Sequence, residues 1–133
     1  MKKGYTEHLE TRTKENDYFR KVLYTSKMLQ LVLMALKPGE EIGLEVHEDT
    51  DQFFRFESGV GEVIIDGAHH AITDGDTVIV PMGSQHNVIN TSDTASLKFY
   101  TIYTPPHHKD QTIHATKHDA ETSEEHFDGV TSE

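Results

Sequence analysis

The hydrophobic positions of this chain fall into short runs, not helical stripes. Residues 19–25 and 29–37 are dense in Val, Leu and Met. Segments 52–57, 61–66, 77–80, 87–90 and 97–103 follow, each short and carrying β-branched or aromatic residues. Turn residues punctuate them: Pro38-Gly39, Ser58-Gly59, Asp66-Gly67, Asp74-Gly75, Pro81-Met82-Gly83 and Thr91-Ser92-Asp93. Asp66-Gly67 lies between Val63-Ile64-Ile65 and Ala71-Ile72 and predicts a tight hairpin, because a primed turn needs positive φ and Asp-Gly supplies it. No apolar 3.6-residue period of useful length appears. Several short strands at near-regular spacing predict an all-β sandwich or small barrel.

The ends differ from the middle. Residues 1–17 are mostly polar and predict an arm, either extended or a frayed helix. Residues 105–133 carry two Lys, seven acidic residues and five His, and open with Pro105-Pro106, which ends the strand before them. This acidic, His-rich tail reads as a solvated extension with a short helix between Asp119 and Phe127. The organisation expected is an arm (1–17), a barrel (18–104) and a tail (105–133).

Composition narrows the function. The chain's 133 residues suit one domain. A net charge of −11 argues against nucleic acid or an anionic membrane surface as partner. The absence of Cys excludes disulfides, thiolate metal sites and a Cys nucleophile. No segment is long and apolar enough to span a bilayer, and the start lacks a secretory apolar stretch, so a cytoplasmic location is expected.

The histidines carry the first chemical signal. His8 in the arm and His69-His70 after the hairpin turn read as exposed polar residues. His47 and His86 lie inside the β region. Glu45 precedes His47 by two, so in a strand both point to one face. A carboxylate and an imidazole on one face make a plausible metal half-site.

Two motifs then give a family resemblance. Residues 39–59 resemble the first motif of the cupin superfamily: Gly, five residues, His, one residue, His, three or four residues, Glu, six residues, Gly. Gly39, His47 and Gly59 match with every spacing kept; Glu45 stands for the usual first His and Gln52 for the usual Glu. The second motif is Gly, five residues, Pro, one residue, Gly, two residues, His, three residues, Asn. Gly75, Pro81, Gly83, His86 and Asn90 match it in full. The resemblance implies a jelly-roll (double-stranded β-helix) barrel. It also implies one divalent metal ion held by Glu45, His47, Gln52 and His86. Two imidazoles and a carboxylate suit non-haem Fe, and Mn, Ni or Zn would also fit. Moving the carboxylate from position 52 to position 45 keeps the ligand charge at −1.

Strand alternation extends the site. With Gln52 inward, Phe54 and Phe56 follow it, and on the last strand Phe99, Thr101 and Tyr103 are the expected lining. Phe53, Arg55, Tyr100 and Ile102 then face outward and need cover, for which the family expectation is a homodimer. No Arg or Lys falls on the expected inward face, which argues against a sugar phosphate. The tail leaves from the end of a lining strand, which suggests a lid carrying His107 or His114. Three functions stay open for a small-molecule ligand or substrate. The first is metal-assisted isomerase or lyase chemistry, with Glu45 or Tyr103 as candidate catalytic groups and Asp51 nearby. The second is a non-haem dioxygenase. The third is a non-catalytic ligand-binding cupin; such sensors usually carry a DNA-binding domain, for which this chain is short.

Overall fold

The computed structural model describes residues 1–133. The element order is α1 (Leu9–Glu15), β1 (Arg20–Thr25), β2 (Gln30–Leu36), β3 (Glu45–Val46), β4 (Asp51–Ser58), β5 (Val60–Ile65), β6 (Ala68–Thr73), β7 (Thr77–Val80), β8 (Gln85–Asn90), β9 (Leu97–Thr104), β10 (Ile113–His114) and α2 (Lys117–Glu121). The strands form two antiparallel sheets, in the orders β10-β1-β2-β9-β4-β7 and β3-β8-β5-β6. They pack face to face as a jelly-roll.

Period-2 alternation builds the interior. On β9 the burial alternates strictly, with Leu97, Phe99, Thr101 and Tyr103 inside. Their β2 partners are Leu36, Met34, Val32 and Gln30, and three of their β4 partners are Phe56, Phe54 and Gln52. The small sheet contributes Val63 and Val88, which face each other across β5 and β8. The hairpin is closed by Asp66 (φ 46°) and Gly67 (φ 82°), as its residues require. Gly61 serves a different need: a Cβ there would sit 2.5 Å from the Ile89 carbonyl oxygen and 2.8 Å from Leu97. His69 and His70 are exposed on β6, as expected, and His69 pairs with Glu62 at 3.0 Å.

The ends are more ordered than their polarity suggests. The arm holds α1, which packs over β9 and β4 with Thr13 and Asn16 buried. Lys98 reaches out from β9 to the Lys14 carbonyl (2.9 Å) and Asp17 (3.0 Å). Cover for part of the outer face therefore comes from this chain's own arm, and Leu33 on β2 is buried there as well. The tail adds β10 to the edge of the large sheet beside β1. Its helix starts earlier than expected, at Lys117, because Thr116 caps it by accepting the Asp119 N–H. It ends before Glu125, whose carboxylate is tied to His108 and to the Lys109 N–H at the start of the tail. No helix is long and apolar enough to cross a membrane.

Candidate metal centre and the hollow beside it

Three short elements position the candidate ligands. Glu45 lies on β3, directly paired with His86 on β8, and His47 follows in the loop before β4. Glu45 Oε2 is 3.0 Å from His47 Nε2 and 4.0 Å from His86 Nε2. Ligand atoms of all three residues lie within 4.8 Å of one another. The rings of His47 and His86 are 5.2 Å apart, tilted by 48°.

The hydrogen bonds around the cluster leave metal-type lone pairs free. His86 Nδ1 contacts the Ser84 carbonyl at 3.3 Å. A carbonyl only accepts, so the proton sits on Nδ1 and Nε2 keeps its lone pair. Burial pushes the His86 pKa down, against the Ser84 bond and the Glu45 charge, and so favours the neutral ring. His47 Nε2 is buried without a hydrogen-bond partner. Its 3.0 Å approach to Glu45 meets the distance for an ion pair but not the direction of an N–H···O bond. Burial pushes Glu45 upward, but His47, Arg20 and His86 outweigh it and hold the carboxylate below its ordinary range.

Gln52 has a readable orientation. Thr101 Oγ1 donates to the Phe53 carbonyl (2.9 Å), so it accepts from Gln52 Nε2 (2.9 Å). The amide oxygen is then the free end, and Oε1 is buried without a partner. The unpartnered, buried His47 Nε2 beside the Glu45 carboxylate is what a divalent cation satisfies. On that test Glu45, His47 and His86 fit a metal.

Of the five side chains expected to line the pocket, Tyr103 does so. Phe54, Phe56, Phe99 and Thr101 are fully buried in the core below. Phe54 supports the His86 ring from 6.3 Å. The hollow, about 280 Å³, is bordered by Arg20, Glu45, Val46, His47, Tyr103 and the tail pair His107-His108. His107 stands 4.4 Å from the His47 ring and stacks on Tyr103 at 5.4 Å, so the tail does cover the mouth. Burial, with His108 and His47 nearby, drives the His107 pKa down to about 4. His114 lies further back, with its Nδ1 3.0 Å from Arg20 Nη1. Asp51 holds the Met82 N–H at 2.8 Å and takes no place in the hollow.

The tail also brings a relay. Glu125 Oε1 is 2.6 Å from His108 Nδ1, and His108 Nε2 is 3.3 Å from the Tyr103 hydroxyl. A carboxylate on Nδ1 assigns the ring proton there, so Nε2 accepts from the phenol. Burial pushes the Tyr103 pKa well above its ordinary value. The loop is fastened by Gln30, whose Nε2 donates to the His108 carbonyl (2.7 Å) and whose Oε1 accepts the His107 and His108 N–H groups.

Comparison with known proteins adds the family. The model of the Cupin domain matches residues 32–103. The chain is a cupin. It is 42% identical over 129 residues to the uncharacterized protein YrkC of Bacillus subtilis, covering 92% of this chain and 69% of that one. The crystal structure of BH2720 from Bacillus halodurans superposes with a TM-score of 0.88 at 38% identity, over 90% of this cupin and 94% of that chain. Quercetin 2,3-dioxygenase of Bacillus subtilis is 28% identical over 78 residues, 59% of this chain but 23% of that protein.

His107 was expected near the site as part of a lid, whereas Arg20, His108 and Glu125 were not legible as site residues. All three of these lie outside the two motifs. Arg20 does share the buried face of β1 with Val22, a two-residue spacing that was visible in the sequence. The expectation of a hollow without a cationic side chain is thereby corrected: Arg20 lines it.

Proposed function

We propose that this cupin is a metal-dependent enzyme that acts on a small polar or carbonyl-bearing molecule by isomerase- or lyase-type chemistry. One observation carries the reading: Glu45, His47 and His86 converge within 4.8 Å, with His47 Nε2 left unpartnered. These three and the Gln52 oxygen are the groups that would hold one divalent ion, of Fe, Mn, Ni or Zn. Bound there, the ion supplies a Lewis acid for a carbonyl or enolate oxygen and, when redox-active, electrons for O2.

The chain's own residues account for the rest. With Glu45 engaged as a ligand, Tyr103 is the proton-bearing group that faces the hollow. Burial keeps its phenol protonated, and the hydrogen bond to Nε2 of His108, itself oriented by Glu125, fixes where the hydroxyl points. His107 closes the mouth and excludes water.

A second reading, a non-haem dioxygenase, is favoured by the two-His, one-carboxylate set and by the likeness to quercetin 2,3-dioxygenase. We also propose a homodimer, supported by apolar Ile79 and Met82 exposed on and just after the β7 edge; sedimentation at twice 15.1 kDa is the expected result.

The test is metal content by mass spectrometry on untagged protein, wild type beside His86→Ala. The pairing matters because five tail histidines can hold metal adventitiously. About one equivalent in the wild type, lost in the variant, is expected of a single site with these ligands. Equal metal in both proteins, or none in either, would overturn the reading. With the metal known, O2 uptake separates the dioxygenase from the isomerase.

A further inference from the structure

Arg20 is a buried cation that no carboxylate touches, although Glu45 and Glu125 act on it through space. It is 7% exposed, and no Asp or Glu oxygen lies within 4.0 Å of its guanidinium. Its one side-chain hydrogen bond runs from Nη1 to His114 Nδ1 at 3.0 Å, and its Nε is buried without a partner. The Phe19 ring lies 5.2 Å below it. The edge of the guanidinium that carries Nε–H and Nη2–H is therefore unused. Two parallel N–H groups on one edge are the fork that matches both oxygens of a carboxylate.

The fork sits where a substrate would be. Arg20, Glu45, His107 and His108 border both the hollow at the metal cluster and a second one, of about 250 Å³, that runs under α2. The groups that could neutralise Arg20 are engaged elsewhere. Glu125 holds His108 Nδ1 and the Lys109 N–H, and Glu45 faces His47 and His86. A buried, unpaired guanidinium costs stability unless something meets it. With a chain charge of −11, the bulk field repels anions, so any affinity for one must come from a local cation.

We propose that Arg20 is the recognition residue for a carboxylate on the substrate, so that the molecule handled by this cupin is a small organic acid. The proposal rests on the reading of this hollow as the reaction site and narrows its substrate class. The carboxylate takes the Nε–Nη2 edge once the side chain turns to open Nε, which water does not reach in this structure, and the rest of the molecule extends toward Glu45, His47 and Tyr103. Arg20 thus sets which molecules enter and in which orientation, apart from the metal chemistry.

The test uses the full chain and four small acids (acetate, pyruvate, malonate and benzoate), each beside its neutral amide. Binding is followed by ligand-observed NMR, on protein as purified and after chelator treatment. At least one acid is expected to bind roughly tenfold or more tightly than its amide. That preference should disappear in Arg20→Met and survive in part in Arg20→Lys. Lys117, a cation that borders only the second hollow, pairs with Glu121 at 3.8 Å, and Lys117→Ala should keep the full preference.

Thermal unfolding separates this role from a structural one. An unpaired buried charge replaced by an apolar side chain of similar length should leave the midpoint of Arg20→Met unchanged or raised. Metal content should also stay at the wild-type level. Equal binding of every acid and amide, a preference that persists in Arg20→Met, or one lost in Lys117→Ala would overturn the proposal. A carboxylate preference that survives metal removal supports Arg20 even where the metal-dependent reading fails.

Discussion

Arg20, His47 and Gln52 each hold one buried polar atom that nothing satisfies. Leaving such an atom unpaired costs about 1–3 kcal/mol. Residues chosen for stability alone would not carry them. Gln52→Leu is therefore expected to change stability by less than about 1 kcal/mol, since Thr101 still donates to the Phe53 carbonyl. The same variant should weaken metal retention roughly 10–100-fold in chelator competition. A large loss of stability by urea unfolding, with metal retention intact, would make Gln52 structural. Gly61 illustrates the opposite case, a residue chosen for packing. Gly61→Ala pushes a methyl into the Ile89 carbonyl and Leu97, and should cost about 1–3 kcal/mol in the same urea experiment.

Among the elements, β3 and the tail matter most. β3 is only two residues long, Glu45 and Val46, yet its pairing with β8 sets Glu45 opposite His86. The start of the tail is clasped by Gln30 on β2, which satisfies two N–H groups and one carbonyl of residues 107–108. Gln30→Leu should cost about 2–4 kcal/mol, because those groups lose their partner inside the protein. It should also free the lid, read as faster amide exchange at residues 107–114 with the β4 and β9 amides still protected. Protection unchanged in 107–114 would show that β10 alone holds the tail.

The molecule as a whole keeps several imidazoles neutral by burying them. Burial lowers the pKa of His107, His108 and His114, and that of His107 from 6.5 to about 4. Their values are depressed on folding, so between about 6.5 and 4 the unfolded chain binds protons that the folded one does not. Stability therefore rises with pH across that window and falls on acidification. Glu125 acts in the same sense lower down: burial raises its pKa, the His108 bond and the Lys109 N–H outweigh that, and its contribution is lost as pH falls below the ordinary carboxylate value. Thermal unfolding midpoints should decline steadily from about pH 7 to pH 4.5; a flat profile would show that these histidines titrate freely. The inferred site combines one carboxylate, two imidazoles and one guanidinium, with Glu45 and Arg20 at the same hollow.

The sequence by itself determined seven of the ten strands, the hairpin turn, the two motifs and hence the family, because period-2 burial and Gly or Pro punctuation are local properties. Residues 77–80 were read as the strand that is observed, and the others to within one or two positions at most ends. It also pointed to Glu45, His47 and Gln52 through the first motif and to His86 through the second, and of these Glu45, His47 and His86 come together. Only the tertiary structure decided which side chains surround them. Phe54, Phe56, Phe99 and Tyr103 share the inward face and one core cluster, but of the four only Tyr103 also borders the hollow. Arg20 lies 25 positions before Glu45, and Glu125 lies 17 beyond His108. No local pattern joins residues that far apart; β1 pairing with β10 and the Gln30 clasp bring them to one place.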